Sequence, residues 1–322
     1  MEEQIKSLLE YAVRAPSVHN TQPWLFRVEK NSCKIYLNPK LKLSQADPMG
    51  RDSYISIGCC AENLILAAKC FGIFDRIIYH GENNLAAEVL FRPNGNKNEE
   101  YNRILETILQ RVNSRGVFEK KPVEDSLVQR MSSIAQEYLD NVLEIHFIAE
   151  KEKIEALAAL TAKGMRMAHR NPAFRKEMSR WINPNFSKKA DGMPGYSLRM
   201  PMIISILTPF LMKFMDLGKF LAKLNYRSVS SAPLICIVTA KENSPTVWMK
   251  TGRLVERLMI ELQNSGLQTS IFIAAIEIGD LHKNVQQLLG ANLLPQFLFC
   301  AGSMAAKQPL TPKHPVEDKL LR

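Results

Sequence analysis

Two periods of hydrophobic and polar residues run along this chain, and the switches between them predict its elements. "MEEQIKSLLEYAVR" reads as an amphipathic helix over residues 3–14 with acidic residues first. "WLFRVEKNSCKIYL", residues 24–37, is rich in aromatic and β-branched positions and predicts a hairpin with Asn31-Ser32 at its turn. A long loop carrying "ADPMGRD" leads to a strong helix over 57–70, followed by strands near 76–80 and 86–92. Further helices are expected near 100–111, 124–138, 151–169, 247–264 and 280–288. Strands are expected at 143–149, 234–240 and 296–302.

Two helical segments echo one another. Superposing Gly58 on Gly252 aligns Glu62 with Glu256, Leu64 with Leu258 and Gly72 with Gly266. Each segment opens near a glycine, carries a Glu one turn in, and closes on a glycine suited to a helix C-terminus. Each also follows a β-rich segment, so the pattern predicts a duplication. "RPNGNKNEE" marks a boundary of Pro, Gly and Asn beside charges. The expected division is a first half over residues 1–92, a linker at 93–102 and a second half over 103–322. The second half is longer by residues 170–228, a stretch rich in Met, Pro, aromatic and basic residues. An insertion of that size predicts a lid, and its most apolar part, residues 200–224, a lid or a buried helix pair.

Composition narrows the class without naming it. Of 322 residues, 46% are apolar and 23% charged, enough for a sizeable core. The net charge of +10 suits an anionic ligand or a basic surface. No Arg/Lys run is interleaved with aromatics, so nucleic acid is not an expected partner. The cysteines Cys33, Cys59, Cys60, Cys70, Cys236 and Cys300 form no CxxC pair, and no metal set can be built from them. They read as reduced thiols of a cytoplasmic protein. The N-terminus lacks the basic start and apolar run of a signal peptide. The most apolar stretch, residues 200–224, is broken by Pro209, Lys213 and Asp216, so no membrane span is expected.

Two stretches carry chemistry. In "APSVHNTQPWLF", Pro16 and Pro23 stiffen the loop and remove two backbone donors. Asn20 and Gln22, two apart in an extended segment, could present amides to a planar heterocycle. Trp24 and Phe26 would anchor the following strand in the core. His19 is available as an acid or base, but spacing places no nucleophile or carboxylate beside it. In "QRVNSRGVF", Arg111 and Arg115 flank Asn113 and Ser114 at a helix end. Two guanidinium forks with an amide and a hydroxyl suit a phosphate and a polyol, because Arg pairs bidentately with phosphate oxygens.

Together these stretches resemble the FMN-dependent nitroreductase family. "APSVHNTQPWLF" looks like its Pro-Ser loop, and "RVNSRGVF" followed by "KPV" is similar to its flavin-gripping Arg segment. "DPMGRDSYISIGCCAENLILAA" and the inserted "RWINPNF" and "DGMPGYSL" resemble the Acg-like branch of fused pairs. The resemblance implies an α+β nitroreductase-like fold, with mixed, mostly antiparallel sheets flanked by helices. Its two fused halves would form an intramolecular pseudo-dimer with an inserted lid. Ordinary members are homodimers with two interfacial flavins. Here the loop occurs only in the first half and the Arg segment only in the second, so one FMN per chain is implied.

Carried over by position, Arg111, Asn113, Ser114 and Arg115 would meet the phosphate, ribityl and pyrimidine side of FMN. Pro16, Ser17, Asn20 and Gln22 would line the ring, and Lys313 and His314 would replace the family's C-terminal basic pair at the phosphate. The implied activity passes electrons from NAD(P)H through FMN to a nitroaromatic, quinone or similar small acceptor, with no catalytic side chain. The alternative is a protein that binds or sequesters flavin with little turnover. The chain would be a monomer with its internal pseudo-dimer, or a further homodimer.

Overall fold

The computed structural model describes residues 1–93 and 95–321. Residue 94, in the expected linker, and residue 322, at the end of the expected second half, lie outside the described residues. In chain order the helices are α1 (Glu2–Ala12), α2 (Arg51–Cys70), α3 (Asn102–Gln110), α4 (Asp125–Gln136), α5 (Lys151–Arg170), α6 (Pro172–Met178), α7 (Met202–Phe214), α8 (Gly218–Ser230), α9 (Pro245–Asn264), α10 (Ala274–Glu277) and α11 (Leu281–Leu289). The strands are β1 (Trp24–Glu29), β2 (Ser32–Leu37), β3 (Phe74–Tyr79), β4 (Leu85–Phe91), β5 (Leu143–Ile148), β6 (Ile182–Asn183), β7 (Met193–Pro194), β8 (Leu234–Ala240), β9 (Gln268–Ile271) and β10 (Leu294–Gly302). The class is α+β. Both four-stranded sheets are antiparallel throughout, in the orders β1-β2-β4-β3 and β5-β8-β10-β9, and the short β6–β7 pair is parallel.

Local corrections have physical causes. The hairpin turn is Lys30-Asn31 rather than Asn31-Ser32, because Glu29 pairs with Ser32 in the ladder. Helix α2 starts six residues earlier than its apolar period suggests. The Asp47 carboxylate accepts from the backbone N–H groups of Asp52 (3.2 Å) and Ser53 (2.8 Å) and from the Ser53 hydroxyl (2.7 Å). That acidic cap turns part of an expected loop into helix. Strand β9, "QTSI", has too few apolar positions to be legible and is held by the edge of β10.

The chain divides into two compact units. The first comprises Met1–Arg111, Ser244–Asn264 and Pro312–Arg322, and the second comprises Val112–Asn243 and Ser265–Thr311. In the first unit α1 and α2 pack with the sheet, and α9 lies along α2. Trp24 and Phe26 are fully buried, as their place in β1 predicts. The C-terminal tail returns to this unit, where Leu320 bridges Phe26 and the Leu321 N–H donates to the Phe26 carbonyl at 2.7 Å.

The α2–α9 crossing is reciprocal. A Cβ added at Gly58 would strike the Met249 carbonyl and stand 2.9 Å from the Gly252 Cα. One added at Gly252 would strike the Ile55 carbonyl and stand 2.9 Å from the Gly58 Cα. Ile55 and Met249 each precede their glycine by three residues. Tyr54 and Trp248, each four residues before its glycine, meet with ring centroids 6.0 Å apart. Only glycine permits such close backbones, so the two echoed segments interlock at the positions that their superposition matched.

In the second unit Ile235 and Ile237 of β8 and Leu298 and Cys300 of β10 form the core with Leu157 of α5 and Val229 of α8. Residues 170–228 were expected to form a lid, with residues 200–224 a lid or a buried helix pair. The pair exists as α7 and α8, but α7 is not buried: its apolar face is exposed. Helix α8 packs along α5, and Met178, Ile182 and Met212 form a small separate core beneath α7.

Candidate functional site

The loop from Pro16 to Gln22 folds as a tight turn rather than an extended segment. His19, Asn20 and Gln22 have positive φ angles of 47°, 57° and 53°, which side-chain-bearing residues adopt rarely. The turn is held at its start, where the Ser17 hydroxyl accepts from the Gln22 N–H (2.9 Å) and the Val18 N–H donates to Ser56 Oγ (3.1 Å). Asn20 and Gln22 therefore do not project side by side as an extended backbone would have them. Their amides fasten the C-terminal tail instead. Asn20 Nδ2 donates to the Pro312 carbonyl (3.1 Å), Asn20 Oδ1 accepts from Lys313 Nζ (3.0 Å) and Gln22 Oε1 accepts from the His314 N–H (2.9 Å). Lys319 Nζ donates to the Gln22 carbonyl at 2.8 Å. Of the expected site residues, Pro16, Ser17, Asn20, Gln22, Lys313 and His314 are thus brought together.

Beside this turn is an unusual set of charges. Arg111, at the end of α3, is buried, and its Nε donates to Glu256 Oε1 at 3.0 Å while its Nη2 donates to the Arg14 carbonyl at 3.4 Å. Lys313 Nζ also donates to the Ala15 carbonyl (2.7 Å) and stands 6.0 Å from the centre of the Trp24 ring. Burial raises the Glu256 pKa against the pull of Arg111 and Lys313. Burial first, then the Arg111 and Arg14 charges, together lower the Lys313 pKa to about 7 against the opposing pull of Glu256. Arg111 and Lys313 thus act on one carboxylate, and Arg14 acts on Lys313, where charge is poorly solvated. Arg14 Nε is buried with no hydrogen-bond partner. Excess buried positive charge with an unused donor suits an anion.

Asn113, Ser114 and Arg115 fall in the second unit. Asn113 bridges Thr269, and the Ser114 N–H donates to the Thr269 carbonyl at 2.8 Å. The hydroxyls of Ser114, Thr269 and Ser270 are buried without a partner, which suits a ligand rich in hydroxyl groups. Arg115 donates from Nη1 to the Ile271 carbonyl (3.3 Å), and its guanidinium carbon lies 5.7 Å from the centre of the Phe272 ring. Its backbone N–H donates to Gln308 Oε1 at 3.1 Å.

Sequence reasoning passed over Arg14 and Glu256 as site residues. Glu256 was visible as half of the Glu62–Glu256 echo, but nothing local to it announced a cation cluster. Arg14 sits one residue before the Ala-Pro-Ser motif and reads as an ordinary helix-end charge. All six cysteines are buried and unbridged. Among the described residues no group of His, Cys, Asp and Glu could hold a metal, and no helix is long and apolar enough to cross a membrane.

Comparison with known proteins places these features in context. No protein-family model matches the chain. The "Putative NAD(P)H nitroreductase acg" of Mycobacterium tuberculosis is 23% identical over 321 residues, covering 98% of this chain and 94% of that protein. The "Uncharacterized protein Rv3127" of the same organism is 22% identical and covers 98% of this chain and 92% of its own. The "Putative NAD(P)H nitroreductase Rv3131" is 39% identical over 70 residues, and the match spans only 20% of its length. Among solved structures, the "FMN and NADPH-dependent nitroreductase NfnB" from sphigopyxis sp. strain HMH superposes with a TM-score of 0.45 at 17% identity, over 67% of this chain and 96% of that one. Along nearly its whole length, the chain is a homologue of the "Putative NAD(P)H nitroreductase acg".

Proposed function

We propose that this chain is an FMN-binding NAD(P)H oxidoreductase of the nitroreductase type, with one flavin per chain and a small acceptor such as a nitroaromatic or quinone. The observation that carries this reading is the cation-rich cluster of Arg111 and Lys313 at Glu256, with Arg14 acting on Lys313, beside the Pro16–Gln22 turn. A phosphate monoester would neutralise the cluster and engage the unused Arg14 Nε. Lys313 and Arg111 would hold that phosphate. The rigid turn, tied to the tail through Asn20 and Gln22, would supply a fixed wall.

When bound, the flavin supplies the hydride and electron chemistry. The protein binds, orients and excludes water, and no side chain need serve as nucleophile. The reciprocal Gly58–Gly252 crossing supports two duplicated halves that meet through α2 and α9. Six unbridged, buried thiols support a reducing, cytoplasmic setting.

A second reading, flavin holding with little turnover, is favoured by one observation. The inserted segment has its own core of Met178, Ile182 and Met212, so it is an ordered body of the kind that gates a site. Absorbance and flavin stoichiometry of the purified protein test the first reading, with a yellow protein saturating at one FMN as the expected result. A colourless protein that takes up no added FMN refutes both. Mixing the loaded protein with NADPH separates them: bleaching within seconds supports the reductase, and bleaching over hours supports the holding protein.

A further inference from the structure

Helix α7 is amphipathic the wrong way round. Its buried face is Ser205, Thr208 and Met212, while Ile203, Leu207, Phe210 and Phe214 point outward. Ile203 is 72% exposed, Phe210 64% and Phe214 59%, and Phe220 on α8 is 62% exposed. The inward hydroxyls are satisfied locally. Ser205 Oγ donates to the Met202 carbonyl (2.6 Å) and accepts from the Asn185 N–H (3.0 Å), and Thr208 Oγ1 donates to the Ile204 carbonyl (2.7 Å). The orientation is therefore built into the fold, and it leaves a contiguous apolar face outside. Faces of this kind mark interaction surfaces.

Charge identifies the partner. Between residues 199 and 230 the charged residues are Arg199, Lys213, Lys219, Lys223 and Arg227 against the single acid Asp216. The Lys213 ammonium lies 4.9 Å from the centre of the Phe214 ring, so a cation sits at the rim of the apolar face. Lys219, Lys223 and Arg227 recur at four-residue spacing along α8, a basic ridge beside Phe220 and Leu224. Two copies meeting through this face would bring like charges together, which disfavours a homodimer. A helix of 13 residues is about 20 Å long and cannot cross a hydrocarbon core of about 30 Å, but it can lie in the interface. We infer that α7 and α8 form a peripheral docking face for an anionic lipid bilayer, with the aromatic and aliphatic side chains entering the acyl boundary and the lysines meeting the headgroups. This inference does not rest on the flavin reading.

The test is flotation of the full chain with vesicles of phosphatidylcholine alone and of phosphatidylcholine mixed with phosphatidylglycerol. The expected result is association with the phosphatidylglycerol vesicles that weakens in high salt. Joint Phe210→Ser and Phe214→Ser substitution is expected to weaken it at least about tenfold, because two apolar anchors are removed from the interface. Joint Lys219→Gln and Lys223→Gln substitution should weaken it less, and far less in high salt. Both pairs are exposed, so an unchanged melting curve confirms that folding is intact. Three outcomes overturn the inference: no association with anionic vesicles, association indifferent to the phenylalanine substitutions, or a homodimer that those substitutions dissociate while vesicles bind neither form.

Discussion

Glu62 and Glu256 occupy matched places on two helices that cross at matched glycines, yet their surroundings differ. Glu62 Oε2 accepts from Arg253 Nε at 2.8 Å, and Arg253 Nη1 donates to the Tyr79 hydroxyl at 2.7 Å. Burial alone would lower the Arg253 pKa, but the Glu62 and Tyr79 contacts outweigh it and hold the guanidinium above its usual value. One acid and one base are paired there. The same superposition that matches the glutamates matches Arg253 with Cys59, a neutral thiol whose Sγ donates to the Gly252 carbonyl at 3.2 Å. Glu256 therefore has no arginine from the facing helix. It takes Arg111 from the end of α3, and Arg14 and Lys313 add positive charge nearby. Where the pseudo-symmetry is kept, the polar pair is structural. Where the matched arginine is absent, the glutamate meets Arg111 and Lys313 instead.

The comparison breaks most directly at the acids themselves. Glu256→Gln leaves the Arg111 guanidinium buried without its counter-charge and should destabilise the protein by about 4 kcal/mol, as loss of one partner of a buried pair does. Added phosphate or FMN should recover part of that loss in a thermal melt, because the anion binds the folded form. Glu62→Gln should cost less, because Arg253 is more exposed and keeps Tyr79, and no anion should recover it. Equal recovery in both variants would refute the distinction.

The crossing that carries both glutamates comes next. Gly58→Ala and Gly252→Ala each drive a methyl group into the facing backbone, and each should cost about 3 kcal/mol, the upper range for overpacking. The reciprocal geometry predicts losses of similar size in urea melts. A large loss from one and none from the other would show that the interlock is one-sided.

The ligand side is sharpened by Arg111→Ala, which should weaken FMN by more than about 1.5 kcal/mol, as expected for a charge-assisted hydrogen bond. Arg253→Ala should lower stability and leave the dissociation constant unchanged. Fluorescence titration of both variants at a temperature where both are folded reads the difference.

How much of this was legible depended on the range of the signal. Strands such as β8 and β10 are near-continuous apolar runs, and helix α9 carries its period openly, so local pattern sufficed. The interlock at Gly58 and Gly252 was foreshadowed by the echo, although the echo alone did not say that the two segments touch. What stayed hidden is long-range. The α2 start depends on an Asp47 side chain that reaches past a turn. The cation cluster assembles Arg14, Arg111, Glu256 and Lys313 from four distant parts of the chain. Helix α7 misled most, because an apolar stretch ordinarily predicts burial, and here the small hydroxyl face goes inward. The Asn20 and Gln22 amides were read as pointing outward to a ligand, since alternation assumes an extended backbone that the positive φ angles deny.

The smallest predicted effect isolates Lys313 from its neighbours by pH. Its pKa in the folded protein is about 7, against an ordinary lysine value of 10.5. Between those values the unfolded chain holds a proton that the folded chain has released, so this group makes the empty protein more stable as pH rises from 7 toward 10.5. An anion in the cluster favours the charged ammonium and reverses the preference. Below pH 7 the lysine is already protonated and contributes no slope; above it, binding must take up a proton, and the affinity for FMN should fall by up to about tenfold per pH unit. The phosphate cannot produce that trend, because its second ionisation lies near pH 6 and adds negative charge as pH rises. Lys313→Met should bind more weakly at low pH and show no such slope, while Lys319→Met, which loses the bond to the Gln22 carbonyl, should keep it. A slope that survives in Lys313→Met would move the titrating group elsewhere and remove Lys313 from the site.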